Sequence, residues 1–294
     1  MKIYNNMSEA YPNIIKDILQ NGIKTSPRGS LITEVCGYGF KLYSYSQPTP
    51  LQKSRKLNFR FGILEGLCNI LGEYPTDLIL GTNKNMKTFM NEETGTWTGA
   101  YAPRMQYPLV EIFKTLQDDN DSRQAILPVF SLADTERLNV KGEWKKDIPC
   151  TQGLQFLIRD GKLNMIATMR SNDVCWGLPY DVTQFAMIGM ALASWLEIPT
   201  GWYVHNAGSM HIYDSTKDIL ESIVNNNEEE FANFEHPSWP SSDILKTRDQ
   251  IDVVFRSYRK FLRTGEIEEL HLSLPEHMNT YHEYLTKQKK IIYV

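Results

Sequence analysis

The sequence has little of what marks a membrane, secreted or nucleic-acid-binding protein. Its most apolar stretch, residues 185–196, is too short to span a bilayer and predicts a buried helix. The N-terminal residues lack the continuous apolar run of a signal peptide. The 31 Lys and Arg are scattered and are outnumbered by 35 Asp and Glu, for a formal net charge of −4. No membrane or nucleic-acid partner is therefore expected.

Patterns that bind metals or common cofactors are also missing. The four cysteines, Cys36, Cys68, Cys150 and Cys175, include no CxxC pair, which argues against a zinc site and against a disulfide scaffold. His, Cys and acidic residues nowhere show metal-ligand spacing, so no metal is expected. Neither a GxGxxG motif nor a Walker loop is present. The expectation is a cytoplasmic protein with reduced thiols.

What the sequence does contain is the composition and patterning of a folded domain. Hydrophobic residues make up 41% of the chain, and no repeat or Pro/Gly-rich linker divides it, which favours a single domain over residues 1–294. Strand-like and helix-like segments alternate without a strict βαβ rhythm. This predicts an α/β fold of the α+β type, with helices packed on one twisted mixed sheet.

Hydrophobic periodicity and terminal residues give the approximate positions of these elements. Helices are predicted at 8–20 (with Ser8 as N-cap), 58–71, 107–116, 182–196 and 242–262. Strands are predicted at 31–44, 125–130 and 201–213, with a hairpin of 154–159 and 163–169 around Asp160-Gly161.

One cysteine has an unusual context. Cys150 follows a proline directly before the predicted hairpin, and Arg170-Ser171 comes twenty residues later. A lone cysteine is more often a buried apolar residue than a nucleophile. An arginine near the thiol, however, would lower its pKa and raise the thiolate fraction. Arg170 and Ser171 are also donor types that bind phosphate.

Six short motifs follow one another between residues 149 and 213. They are Pro149-Cys150, Gln155-Phe156, Asp160-Gly161-Lys162-Leu163, Arg170-Ser171-Asn172-Asp173, Gly177-Leu178-Pro179 and His211-Ile212-Tyr213. Together they resemble the active-site core of thymidylate synthases and their relatives. Four upstream residues match the same family in order: Arg28, Glu65, Tyr101 and Arg123. The resemblance implies a thymidylate-synthase-like fold.

The resemblance implies one-carbon transfer to C5 of a pyrimidine nucleotide, with 5,10-methylenetetrahydrofolate as the donor. Cys150 would be the nucleophile that adds to C6, since a covalent adduct makes C5 reactive. Glu65 would organise proton transfers, and Tyr101 would be an active-site tyrosine. Asp173 would bind the pterin ring, whose N–H groups suit a carboxylate. The C-terminal segment ending at Val294 would close over the folate.

Nucleotide contacts and a dimer are implied in the same way. Phosphate-binding residues would be Arg28, Arg170, Ser171 and, from the other subunit, Arg123. His211 and Tyr213 would donate hydrogen bonds to the sugar 3′-hydroxyl. The resemblance therefore implies a homodimer.

One departure from the thymidylate synthase pattern bears on the base. Asp181 stands where a synthase acting on uracil has asparagine, and a carboxylate cannot donate to uracil O4. It can accept from the exocyclic amine of cytosine, and deoxycytidylate hydroxymethylases of the family carry Asp here. Asp181 also fits a helix N-cap, the simpler structural interpretation. Within the family context we expect a catalytic, cytosine-reading role.

The product and the sugar stay open at this stage. Hydroxymethylation of dCMP is favoured by analogy, because cytosine-type members mostly carry it out. The alternatives are a CMP hydroxymethylase, a dCMP or dUMP methylase, and a non-catalytic nucleotide-binding protein. Thr151 and Ser209 also depart from the usual family residues, histidine and aspartate, which suggests a divergent member.

Overall fold

The protein is described by a computed structural model, which covers residues 1–136, 147–226, 230–232, 234–240, 242–270 and 273–287. In chain order, its strands are β1 (Lys2–Tyr4), β2 (Ile23–Thr25), β3 (Ile32–Leu42), β4 (Ile126–Pro128), β5 (Thr151–Arg159), β6 (Lys162–Met169), β7 (Asn172–Asp173) and β8 (Thr200–Tyr213). Its α-helices are α1 (Met7–Asn21), α2 (Phe59–Leu71), α3 (Thr76–Thr82), α4 (Ala102–Asp118), α5 (Leu178–Trp195), α6 (Lys217–Asn225), α7 (Ile244–Thr264) and α8 (Glu276–Thr286).

The strands form one mixed sheet, as the sequence predicts. Its order is β1-β3-β8-β6-β5-β4, with β2 paired to β3 and β7 paired to β8. The β1–β3, β6–β8 and β7–β8 pairs are parallel and the others are antiparallel. The strands β6 and β7 thus pair with one edge of the long strand β8, and β3 pairs with its other edge. The predicted α/β class with a mixed sheet is confirmed.

The central helix α5 is buried on almost every side between the sheet and α2. Its sequence is apolar all round, which is the pattern of a helix inside a core. It begins at Leu178, four residues before the predicted start, because Pro179 near the N-terminus is compatible with the first helical turn. The early start places Asp181 inside the first turn.

One face of the sheet is left open by the helices. On β5, β6 and β8 the residues that face α5 and neighbouring helices are buried, whereas the alternate residues are only half-buried. The half-buried set includes Leu157, Ile166, Thr168, Trp202 and Val204. This face is largely apolar and is available to cover another surface.

Several predicted boundaries differ from the structure. The α1 N-cap is Asn6, whose side chain accepts from Glu9 N, and not Ser8. The Ser8 hydroxyl instead accepts from Leu51 N at 3.1 Å and ties α1 to a distant loop. The short elements β1, β2, α3, α6 and α8 were not predicted, because three-residue strands and short helices carry little periodicity.

Candidate active site

Adjacent strand ends bring the predicted nucleophile and its arginine together. Cys150 directly precedes β5 and Arg170 directly follows β6, and Arg170 N donates to Cys150 O at 2.8 Å. The Arg170 Nη2 atom lies 3.6 Å from Cys150 Sγ. Ser171 Oγ lies 3.8 Å from the same sulfur. The antiparallel hairpin therefore creates the Cys150–Arg170–Ser171 group that the sequence predicts.

The Arg170 guanidinium is held in place by backbone carbonyls while remaining exposed. Its Nε donates to Pro149 O at 2.9 Å and its Nη2 donates to Ile148 O at 3.0 Å. Its Nη1 donates to Ser171 Oγ at 3.2 Å. A fixed, solvent-facing guanidinium beside a hydroxyl is suited to an anionic group.

Arg170 lowers the pKa of Cys150 as expected, but the net pKa of the thiol is raised and not lowered. Burial raises the pKa of the Cys150 thiol above its ordinary value, because the thiolate loses its hydration. The positive charge of Arg170 lowers this pKa but does not outweigh burial. The negative charges of Asp181 and Asp147 raise it further.

Asp181 is buried within the first turn of α5 and accepts from two side chains. Asn172 Nδ2 donates to its Oδ2 at 2.6 Å, and Gln184 Nε2 donates to its Oδ1 at 3.1 Å. Burial raises the pKa of Asp181 to about 7, with the charge of Asp173 adding to the rise. The N-cap interpretation of Asp181 is wrong, since Gly177 occupies that position.

A second carboxyl, Glu65, reaches the same region from α2, the helix that packs on α5. Tyr74 Oη donates to Glu65 Oε1 at 2.7 Å. Burial raises the pKa of Glu65 to about 8, and the nearby Asp181 charge contributes. The group is therefore mostly protonated at neutral pH, which is typical of an acid that exchanges protons.

Tyr101 stands at the start of α4 and completes this cluster. Its ring centroid is 6.0 Å from that of Phe185 in α5. Burial raises its pKa well above the ordinary value, and the charges of Asp181 and Cys150 raise it further. The buried Thr151 hydroxyl also faces this phenol and opposes the rise.

The pairing of β7 with β8 places Asp173 opposite His211. Asp173 Oδ1 accepts from Cys175 N at 3.0 Å and its Oδ2 accepts from Trp176 N at 2.8 Å. Among the described residues the buried His211 Nδ1 has no hydrogen-bond partner. The ring meets that of Tyr213 edge-on at 5.1 Å. This unpartnered ring nitrogen beside a phenol leaves polar atoms free for a ligand.

The remaining predicted residues lie at different distances from this cluster. Arg28 is exposed in a turn with φ of 53°, and its charge, with that of Arg170, lowers the pKa of Tyr213 against the effect of burial. Arg123 is exposed before β4, and within the described ranges its guanidinium makes no hydrogen bond or ion pair. Val294 lies outside the described residues.

Three polar residues around Asp181 have no individual role predicted from the sequence: His205, Asn172 and Gln184. In the structure His205 Nε2 lies 3.0 Å from Asn172 Oδ1, and both amides bind Asp181. The sequence does place an amide residue on each side of Asp181, Asn172 and Gln184. Their spacing alone does not show that these side chains bind the carboxyl.

Two negative findings apply to the described part of the chain. No helix there is long and apolar enough to cross a membrane. The described ranges also contain no group of three or more His, Cys, Asp or Glu side chains arranged to hold a metal ion.

Comparison with known proteins shows the family to which the chain belongs. A family model described as thymidylate synthase matches residues 9–261, so the chain belongs to the thymidylate synthase family. It is also similar to the deoxyuridylate hydroxymethyltransferase of Bacillus phage SP01, with 29% identity over 234 residues. That match covers 74% of this chain and 60% of the relative, so the chain spans less than two thirds of the relative's length.

Proposed function

We propose that this chain is a folate-dependent hydroxymethyltransferase that converts a cytidine monophosphate nucleotide, dCMP, to its 5-hydroxymethyl derivative. The observation that carries the choice of base is the buried carboxyl of Asp181, close to the Cys150 thiol. The proposal extends to a single domain over residues 1–294 and a cytoplasmic location.

Asp181 supports cytosine through its hydrogen-bonding capacity. A carboxylate accepts from the cytosine N4 amine, and one proton shared between Asp181 and N3 completes a two-point contact. The pKa of about 7 makes that proton available near neutral pH. With uracil bound, an ionised Asp181 would instead place two acceptors against each other in a buried site, its own carboxylate oxygen and uracil O4.

Cys150 supplies the nucleophile. Its thiolate adds to C6 of the pyrimidine, and the electron density that reaches C5 allows that carbon to attack a one-carbon unit. Loss of the C5 proton, together with cleavage of the bond between the transferred carbon and its carrier's nitrogen, which leaves as the reduced folate, would then give an exocyclic methylene on the ring. Addition of water to this methylene, followed by release of the Cys150 thiolate, gives the hydroxymethyl product.

The reaction requires the Cys150 thiolate, although burial raises the pKa of this thiol. Arg170 and Ser171, within 4 Å of the sulfur, stabilise the negative charge. Glu65, protonated near neutral pH, is suited to exchange protons with the ring substituents through water. Tyr101, whose phenol interacts electrostatically with Cys150 and Asp181, would help to position the reacting groups.

Nucleotide binding uses the polar edge of the same site. Arg170, Ser171 and Arg28 bind the phosphate. His211 and Tyr213 bind the sugar 3′-hydroxyl, which is consistent with the free Nδ1 of His211. These contacts reach the 3′ side of the sugar and leave the choice between dCMP and CMP to experiment.

The folate site is proposed next to Asp173. Trp176 follows this carboxyl, is 54% exposed, and has the Arg55 guanidinium 4.9 Å from its ring centroid. An exposed indole beside a carboxylate fits a flat ring with N–H donors. Methylenetetrahydrofolate would supply the one-carbon unit. Asp173 would orient the pterin, and the segment ending at Val294 would exclude bulk water.

A homodimer is part of the proposal. The open apolar face of the sheet offers a surface for a second copy of the chain. Arg123 is exposed and unpaired among the described residues, which fits a phosphate contact in the partner's site.

A second candidate, hydroxymethylation of dUMP, is favoured by one specific observation. The relative from phage SP01 is named a deoxyuridylate hydroxymethyltransferase. A neutral Asp181 would donate O–H to uracil O4 and accept from N3–H, so a carboxyl with a pKa of about 7 is compatible with this base as well.

The Asp181→Asn variant tests the assignment of cytosine. Because an amide donates to O4 and cannot share a proton with N3, we expect the ratio of kcat/KM for dCMP over dUMP to fall by at least about 100-fold, the range expected when a buried polar group loses its partner. Asp252→Asn, the same change at an exposed position of α7, is the matched control. An unchanged ratio in Asp181→Asn would remove the base assignment.

A further inference from the structure

Three side chains behind Asp181 form a buried hydrogen-bond chain. Tyr203 Oη lies 2.6 Å from His205 Nδ1, and His205 Nε2 lies 3.0 Å from Asn172 Oδ1. Asn172 Nδ2 then donates to Asp181 Oδ2 at 2.6 Å. All four residues are buried, and we refer to Tyr203, His205 and Asn172 as the Asp181 relay.

The relay has a defined direction. Burial lowers the pKa of His205 to about 3, so its ring is neutral and carries one N–H. Because Asn172 Oδ1 can only accept, the proton is on Nε2, and Nδ1 accepts from the Tyr203 hydroxyl. The ring also stacks on Phe40, with centroids 5.2 Å apart and planes at 20°. Every donor in the relay therefore points toward Asp181.

Reversing the relay would leave a donor without a partner. Turning the Asn172 amide over would place its Nδ2 against His205 Nε2, which would then have to accept. The His205 proton would move to Nδ1 and the Tyr203 hydroxyl would have to accept from it. The phenol proton would then point into the core, where the described residues give Tyr203 Oη no other partner.

A second arm holds the other oxygen of the carboxyl. Gln184 Nε2 donates to Asp181 Oδ1 at 3.1 Å, and Asn69 Nδ2 donates to Gln184 Oε1 at 2.6 Å. This arm ends in an amide and contains no tyrosine or histidine. It can reverse by turning over both amides, so it constrains the carboxyl less than the relay does.

We propose that the Asp181 relay sets base choice by holding Oδ2 as an acceptor and so directing the shared proton to Oδ1. A neutral carboxyl matches cytosine when the proton is on one oxygen and uracil when it is on the other. A carboxyl whose proton can occupy either oxygen would bind both bases. A carboxyl whose proton is held on one oxygen favours a single base. Tyr203, His205 and Asn172 are positioning residues, and this inference rests on the proposed function of Asp181.

Tyr203→Phe tests the relay with the loss of a single hydroxyl far from the substrate. Without that donor each relay direction leaves one unpaired group on His205 Nδ1, so the energy difference between the directions shrinks. We therefore expect the ratio of kcat/KM for dCMP over dUMP to fall by about tenfold, with the ratio of the two nucleotide Kd values falling alongside. Tyr45→Phe is the matched control. Tyr45 is equally buried, and its hydroxyl donates to Leu163 O at 2.8 Å, outside the relay.

Steady-state kinetics with both nucleotides and calorimetric titration without folate give independent measurements of the ratio. Thermal unfolding of both variants shows whether each is folded. Equal ratios in Tyr203→Phe, Tyr45→Phe and wild type would overturn the proposal, because a purely structural hydroxyl changes both substrates alike.

The assignment of cytosine and the relay proposal can fail separately. If the wild-type chain prefers dUMP, the cytosine assignment fails whatever the relay does. In that case, a ratio that moves in Tyr203→Phe and not in Tyr45→Phe still supports the relay as the device that sets base choice. If the wild type prefers dCMP and the ratio does not move, only the relay proposal fails.

Discussion

Two buried carboxyl groups, Glu65 and Asp181, are close enough to interact electrostatically, and both have raised pKa values, to about 8 and about 7. Burial is the main cause in each case, and each negative charge would make the other harder to form. Such groups hold protons near neutral pH, which suits a reaction that moves protons at the ring. The same burial lowers the stability of the fold once the groups ionise.

Glu65→Gln measures that cost directly. The folded-state pKa of about 8 lies above the unfolded value, so the free energy of unfolding decreases as pH rises from about 4 to 8. Replacing Glu65 removes its part of this loss. The rise from 4.5 to about 8 is about 3.5 pKa units at ~1.4 kcal/mol each, so we expect the variant to gain about 4 kcal/mol over wild type between pH 5 and pH 9.

Chemical denaturation at the two pH values provides the measurement. Glu73→Gln, the same change at an exposed position just beyond the same helix, is the matched control. A variant at Glu65 that gains equally at pH 5 and pH 9 would contradict a raised pKa for this carboxyl.

At the scale of elements, the turn from β7 into α5 connects the nucleotide and base regions of the site. Gly177 ends this turn, and a Cβ there would lie 2.8 Å from Asn172 Nδ2 and 3.2 Å from Asp181 Oδ2. Its φ of −92° is accessible to any residue. The glycine is therefore needed for space beside the carboxyl and not for backbone conformation.

Gly177→Ala should consequently impair binding more than folding. We expect dCMP affinity to fall by about tenfold or more, since displaced buried polar groups cost about 1–3 kcal/mol. Gly161→Ala should do the opposite. Gly161 has φ of 66° with open space around its Cβ position, so alanine strains the β5–β6 turn by about 1 kcal/mol and leaves affinity unchanged. Calorimetry and thermal unfolding of both variants would show the two patterns, and reversed patterns would contradict this reading of the turn.

Sequence reasoning predicted the elements whose signals are local. The capped and periodic helix α2, with its Asn58 N-cap and its Gly72 C-cap at φ 85°, lies within a residue of the predicted bounds. The hairpin at Asp160-Gly161 was also correct. The relay was missed because it joins β7, β8 and α5, and their register is set by tertiary packing. The rise in the Cys150 pKa was missed because the sequence shows the neighbouring arginine but does not show how deeply the thiol is buried.

At the scale of the whole molecule, the proposed function requires residues from two chains in each active site. The helices cover one face of the sheet and leave the other, which is largely apolar, exposed. Two copies packed through such faces would bury both, and a symmetric dimer uses the same surface twice. Arg123 would then contribute to the partner's phosphate site.

Mixing two inactive variants tests this arrangement. Cys150→Ala and Arg123→Ala should each lose most activity, for lack of the nucleophile and of a phosphate contact. In a mixed dimer the subunit that retains Cys150 receives Arg123 from its partner, so one site is complete. Random exchange at equal amounts should restore about a quarter of wild-type activity, because half of symmetric dimers are mixed and each has one working site.

Subunit exchange is measured after partial denaturation and refolding, with each variant refolded alone as the control. Restored activity requires both a dimer and a contribution of Arg123 across it. A mixture no more active than the separate variants would contradict the shared site.

The most direct test of the central claim is the mass of the product formed with methylenetetrahydrofolate and, separately, dCMP, CMP and dUMP. The account predicts that dCMP gains one CH2O unit and that Cys150→Ala abolishes the gain. The same gain on CMP alone would keep the cytosine-reading role of Asp181 and change the sugar. A CH2 gain on dUMP, with no product from either cytidine nucleotide, would contradict both the base and the fate of the methylene proposed for this chain.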